Sequence, residues 1–320
     1  MIKRITLSIA RVVLALMCTP IVTAIAQDFP SKPVRVVVGF PPGGGADMTA
    51  RIVAQKLNEI WARPVIVDNR PGAGGNVAAE LVAKGTADGY AILVMPGPAA
   101  PSLYPKLAFD FRNDFAPITL AGRGPNVLVV HPSVPAASVR ELIALAKAQP
   151  AKLNYASSGV GITPHLAGEL FRKMANIDIV HVPYKGAGPA VTDLVAGHVE
   201  LMIVSIPSVL GYVQARRLRA LGVTSLQRSS MLPQVPSVDE AGIRGYETYQ
   251  WWGVVAPAAT PSDTVAKLNA AIVKGLNASD AKKRYADEGA EVVANSPAEF
   301  GDFFQKELTK WDRVMSESKP

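Results

Sequence analysis

The chain predicts an α/β fold built as two lobes, each with a mainly parallel sheet. Short β-branched runs alternate with helical patterns over most of the 320 residues, which is the signature of strand-helix-strand crossovers rather than hairpins. A glycine-rich strand-to-helix turn of one style then occurs twice, once in each half. The first copy is Pro41-Pro42-Gly43-Gly44-Gly45-Ala46-Asp47 and the second is Ser157-Ser158-Gly159-Val160-Gly161-Ile162-Thr163-Pro164-His165. Half of the residues are hydrophobic, enough for two cores of ordinary domain size.

At the N-terminus, Lys3, Arg4 and Arg11 precede the apolar run Val12 to Cys18 and then Ala24-Ile25-Ala26. That is the layout of an export signal cleaved after Ala26. An anchored helix is the alternative, but the uncharged stretch from Val12 to Ala26 is short for a span of about 20 residues and Pro20 interrupts it. Met17 before Cys18 is too large for lipoprotein cleavage, so the expected product is periplasmic. Removal of residues 1–26 takes away the one cysteine, three of the 33 basic residues and none of the 26 acidic ones, leaving a net charge of +4. Neither a disulfide frame nor a thiol nucleophile remains. Apart from Arg216-Arg217-Leu218-Arg219 the basic residues are scattered, which does not make a nucleic-acid stripe.

The expected strands are Val34 to Phe40, Val65 to Asn69, Ala91 to Met95, Ile118 to Leu120, Val127 to His131, Leu153 to Ala156, Ile179 to Val182, Val199 to Ser205, Leu218 to Thr224 and Trp251 to Ala256. Helix starts are marked by Ser138 with Glu141, by Ser296-Pro297 with Glu299, and by Thr163-Pro164, which puts His165 in a first helical turn. Turn-rich stretches at 121–126 and 225–246 each precede a strand. Chain crossings occur at such places, giving residues 27–125 with 251–320 as one lobe and 126–250 as the other.

Each glycine turn opens a helix, and free N–H groups at a helix start make a site for a carboxylate or phosphate. Asp47 reads first as an N-cap, with contact to a ligand hydroxyl or ammonium as its second reading. A third loop, Asn69-Arg70-Pro71-Gly72-Ala73-Gly74-Gly75-Asn76, fits either a cleft wall or close packing of helix on strand. Tyr184 after the strand at Ile179 is a candidate to line the ligand, whereas Lys185 suits the solvated surface. Trp251 and Trp252 point to opposite faces of one strand, so one floors the cleft while the other packs in a core. Ser158 and His165 raise the alternative of a secreted serine hydrolase, but Ala156-Ser157-Ser158-Gly159 does not match a G-x-S-x-G elbow. His131, His165, His181 and His198 lack metal-ligand spacing, so neither metal nor cofactor is expected.

At these residues the chain resembles the extracytoplasmic receptors of tripartite tricarboxylate transporters, the Bug or TctC family. The resemblance runs through Val37-Val38-Gly39-Phe40-Pro41-Pro42-Gly43-Gly44, Asn69 to Gly75, Tyr155-Ala156-Ser157-Ser158-Gly159, His181-Val182-Pro183-Tyr184-Lys185-Gly186, Leu218-Arg219-Ala220-Leu221, Trp251 with Gly253 and Ala256-Pro257, and Ser296-Pro297-Ala298-Glu299-Phe300 with Lys310-Trp311. It implies a two-lobed, type II-like periplasmic-binding-protein fold, a Venus flytrap without catalysis. In such a fold two loops pinch a ligand carboxylate, partly through ordered water, and a membrane permease receives the ligand from a monomer. Carried over, the arms are Pro42, Gly43, Gly44, Ala46 and Asp47, and Ser157, Ser158, Gly159, Gly161 and Thr163, with His165, Tyr184 and Ser205 nearby. The family commonly has Asp where this chain has Val204, which favours an aromatic or less polar carboxylate over an amino acid. A sensor that docks on a signalling receptor is the alternative partner.

Overall fold

The computed structural model describes residues 29–97, 101–103 and 106–317; the expected export signal at 1–26 lies outside them. Strand β1 (Val34–Val38) runs through the first glycine turn into α1 (Gly45–Trp61), followed by β2 (Val65–Asn69), α2 (Asn76–Ala83) and β3 (Ala91–Gly97). The chain continues through β4 (Phe115–Val130), α3 (Val139–Ala148), β5 (Asn154–Ser157), α4 (Thr163–Ala175), β6 (Val180–Pro183), α5 (Ala187–Ala196), β7 (Leu201–Ser205), α6 (Ile206–Gln214) and β8 (Arg219–Val223). It closes with β9 (Tyr249–Pro257), α7 (Ser262–Leu276), α8 (Ser279–Asp287), β10 (Glu291–Val292) and α9 (Pro297–Glu317).

The strands form one curled, mixed sheet in the order β2-β1-β3-β9-β4-β7-β5-β6, with β8 and β10 also pairing to β4. Each flank is parallel: β1 pairs in parallel with β2 and β3, and β5 with β6 and β7. The flanks meet in antiparallel strands, because β9 runs against both β3 and β4, and β4 runs against β7 and β8. Parallel flanks need crossover helices, and these bring the strand-to-helix loops of both flanks to the site.

One expectation needs correction. Ile118 to Leu120 and Val127 to His131 are not separate strands joined by a turn at 121–126; β4 runs unbroken from Phe115 to Val130. Its first part, to Pro125, pairs with β9, and its second part, from Asn126, pairs with β7. The glycines there serve close packing rather than a turn. A Cβ on Gly122 would meet the Tyr285 ring at 2.4 Å, and one on Gly124 would meet Ala290 at 3.1 Å. Register shifts after Pro117 and Leu120 absorb the irregularity. The two-residue β10 was too short to show a pattern.

The cores follow the flanks. Val37, Leu93, Phe115, Trp251, Phe300 and Phe304 belong to one cluster, and Tyr155, Leu166, Phe171 and Tyr246 to another. Helix α9 contributes to both, because Trp311 and Val314 pack in the second cluster while Phe300 and Phe304 pack in the first. The capping box at Ser296 closes, with Ser296 N donating to Glu299 Oε2 at 2.9 Å and Glu299 N to Ser296 Oγ at 3.3 Å; at Ser138 the hydroxyl accepts from Glu141 N at 3.2 Å, but Glu141 Oε2 takes the N–H of Ala137 instead of that of Ser138.

Candidate ligand-binding site

Four helices start at one cavity of about 420 Å³. Gly44, Gly45 and Ala46 bring the start of α1, and Ile162, Thr163 and Pro164 the start of α4. Gly186 and Ala187 bring α5, and Ser205, Pro207 and Ser208 bring α6. None of these four helices has a side-chain N-cap. A helix without one leaves its first N–H groups for water or a ligand, and its dipole adds positive potential there. The rest of the wall is largely apolar, including Phe40, Val204 and Trp252, and Glu288 is the one formally charged side chain among the described lining residues.

The glycine loops are shaped by bonds that face away from the cavity. Gly43 has φ +97°, and its N–H donates to Asp47 Oδ2 at 3.0 Å. Asp47 is therefore not the N-cap; Gly44 is. Asp47 lies in the first turn and reaches back to Gly43, while Oδ2 also accepts from Arg51 Nε at 2.8 Å and Oδ1 from Asn69 Nδ2 at 3.0 Å. Burial pushes its carboxyl up, but these hydrogen bonds outweigh it and hold the group below the usual range. With its lone pairs so engaged, Asp47 positions the loop and does not form the wall. Asn69 also donates to Phe40 O, which ties the third glycine loop to the first. Gly39 packs against Gly75 so closely that a Cβ would meet its Cα at 2.6 Å, while Gly74 lines the cavity. Both readings of that loop hold.

The second arm has the same logic. Ser157 is fully buried, its Oγ lies 2.7 Å from His181 Nε2, and it donates to Gly159 O at 3.0 Å. Gly161 N donates to His165 Nδ1 at 3.0 Å, and the His165 ring stacks on His181 with centroids 4.1 Å apart. Burial drives the pKa of His165 down, and burial together with the charge of His165 drives His181 down to about 4. Ser157, Gly159 and His165 thus buttress the loop, and Ser158, Gly161 and Thr163 face the cavity. With Nδ1 accepting from a backbone N–H and its ring stacked, His165 is not placed as a base for Ser158. Thr163 is not the N-cap either: Ile162 occupies that place, and the Thr163 hydroxyl donates to Gly97 O at 2.6 Å.

Of the remaining candidates, Val204 and Ser205 line the cavity, and Ser205 Oγ lies 2.7 Å from Ser208 Oγ. Tyr184 does not line it, because its hydroxyl donates to Asp193 Oδ2 at 2.8 Å; burial and that bond push its pKa up to about 12. Pro42 is exposed beyond the wall. Lys185 is exposed, as expected. Trp252 takes the cavity face and Trp251 the core. The sequence marks Tyr184 to Pro189 as a strand, a turn and a helix start but does not single out Gly186 and Ala187 in the site, and it gives Pro207-Ser208 no role. A strand followed by a proline in the first helical turn, as in Ser205-Ile206-Pro207, is the signal that points to the latter.

The family model for tripartite tricarboxylate transporter family receptors, TctC, matches residues 49–319. The chain belongs to the TctC family. It is 41% identical over 292 residues to the UPF0065 protein in the tcbD-tcbE intergenic region of Pseudomonas sp. strain P51, spanning 90% of this chain and 87% of that one. It is 35% identical to Protein BugT of Bordetella pertussis, spanning 92% and 91%. Among solved structures, R. palustris Rpa4515 with adipate superposes with a TM-score of 0.79 at 36% identity, covering 90% of this chain and 98% of that one. MatC (Rpa3494) from Rhodopseudomonas palustris with bound malate gives 0.78 at 32%, covering 89% and 99%. The structure of periplasmic binding protein BugD gives 0.78 at 31%, covering 90% and 98%, and these likenesses bear out the two-lobed periplasmic-binding-protein fold.

Proposed function

We propose that this TctC protein is a periplasmic solute-binding receptor that captures a small organic carboxylate between its lobes and delivers it to a tripartite tricarboxylate-type permease, acting as a monomer and without catalysis. The lobes are residues 27–125 with 251–320, and 126–250, and export follows cleavage after Ala26. No described helix is long and apolar enough to cross a membrane. The observation that carries the reading is the convergence of four uncapped helix starts on one cavity whose described lining holds no lysine, arginine or histidine. Backbone N–H groups and dipoles supply the positive potential, each start contributing about 0.3 to 1 kcal/mol and up to about 2 when partly buried. Charge-assisted hydrogen bonds add roughly 1.5 to 3 kcal/mol each before ordering costs. A few suffice for a micromolar Kd, which needs about 8 kcal/mol. The carboxylates on the two neighbours, adipate and malate, support the same class of ligand here.

Thermal melting across a library of mono- and dicarboxylic acids, sugars and amines tests the reading. Carboxylates should raise Tm and the others should leave it unchanged. Stabilisation by sugars or amines with none by acids would overturn it.

A further inference from the structure

We infer that Trp252 is a ligand-binding residue whose indole N–H donates to the bound carboxylate beside the start of α1. This rests on the carboxylate reading above and names a donor within that site. Of the buried side-chain polar atoms without a partner among the described residues, on Asn126, Thr248, Trp252 and Thr260, only Trp252 Nε1 belongs to a residue of the cavity wall. An indole nitrogen is a donor only and is normally paired when buried. Leaving it unpaired costs stability, and the N–H, closed off against the start of α1 in this structure, gains most from an acceptor that reaches it there.

Its position is fixed. A Cβ on Gly45 would meet Trp252 Cζ2 at 2.3 Å, Cε2 at 2.8 Å and Nε1 at 3.0 Å. The N–H edge of the ring therefore lies against the first residue of α1. The ring also meets Tyr285, with centroids 6.0 Å apart, and the Tyr285 hydroxyl donates to Thr49 Oγ1 in α1. Helices α1 and α8 thus hold the indole beside the helix start, with little freedom left to lose on binding. The chain also shows which acceptor suits its buried indoles. Trp251 Nε1 and Trp311 Nε1 both donate to Glu307 Oε2, at 3.1 and 2.9 Å. In the cavity no protein carboxylate meets Trp252, and the ligand supplies one.

The test titrates indole-¹⁵N-labelled protein with adipate, malate and benzoate, and compares the wild type with Trp252→Phe. Phenylalanine keeps an aromatic ring under Gly45 and removes the donor. For the acid that binds best, the Trp252 indole resonance should move downfield while those of Trp251 and Trp311 stay in place. Trp252→Phe should weaken that acid at least about tenfold, as expected for the loss of one hydrogen bond to a charged acceptor. A stationary Trp252 resonance in wild type saturated with acid would overturn the inference even if the variant folds poorly, as would a Kd within twofold of wild type in a folded variant. If none of the three acids binds wild type, the carboxylate reading fails and the Trp252 assignment falls with it; if an acid binds without engaging Trp252, only the assignment falls.

Discussion

At Val204 the cavity wall is a pair of methyl groups on β7, almost fully buried and paired across the ladder with Val127. Val204→Asp would place a carboxylate in a poorly hydrated wall beside an anionic ligand, where desolvation and like-charge repulsion act together. Calorimetry should show the favoured simple acid losing at least about a hundredfold in affinity, roughly 2.7 kcal/mol, while an amino acid loses less because its ammonium gains a partner. Unchanged binding of the simple acid would remove Val204 from the site. Gly44 and Ser158 form a second pair of tests. Gly44 has φ −90°, and nothing lies within 4 Å of its Cβ position, so a side chain there starts in open space and Gly44→Val adds its bulk at the cavity. Ser158→Ala removes one hydroxyl, worth roughly 1 to 3 kcal/mol if it pairs with the carboxylate. The valine should cost more affinity than the alanine. Wild-type Kd values in both folded variants would reduce the two loops to ordinary turns.

At the level of elements, the two glycine turns and the helices they open were legible because their signals are local: a β-branched run, a glycine needed at positive φ, and a helix start. Continuous β4 was not, since the reason for Gly122 lies 163 residues away at Tyr285, whose ring fills the space a side chain would need. The same limit explains Asp47, Ser157 and His165, which were identified in the right loops while their inward bonds to Gly43, His181 and Gly161 were hidden. Those bonds make the β5–α4 loop sensitive to acid. Both imidazoles are held neutral by burial, and Glu169 only partly opposes this. Their folded pKa values lie below the unfolded value near 6.5, so the unfolded chain binds more protons between that pH and about 4. Stability is then complete above pH 6.5 and declines as pH falls toward 4, by on the order of 2 kcal/mol. Protonation of His165 at Nδ1 also removes the acceptor for Gly161 N–H. Urea melts from pH 7.5 to 4.5 should show this slope, and His165→Gln, which keeps an acceptor without titrating there, should flatten it. Equal slopes in the two proteins would assign the loss to other groups.

For the whole molecule, the continuity of the sheet sets the expected response to ligand. Strand β4 serves both flanks, pairing with β9 along its first part and with β7 and β8 along its second. The cavity wall draws on α1 from one flank and on α4, α5 and α6 from the other. The Thr163 hydroxyl also ties the start of α4 to Gly97 at the end of β3. A bound acid touching both flanks should therefore stabilise them together rather than one at a time. At a free concentration about 100 times Kd the gain is about 2.7 kcal/mol. For a folded body of this size that corresponds to a rise in Tm of about 4 to 5 °C. Calorimetric scans should show one transition without ligand and one shifted transition with it. Two transitions of which the acid moves only one would mean that the flanks unfold independently and that the ligand is held by a single set of helix starts.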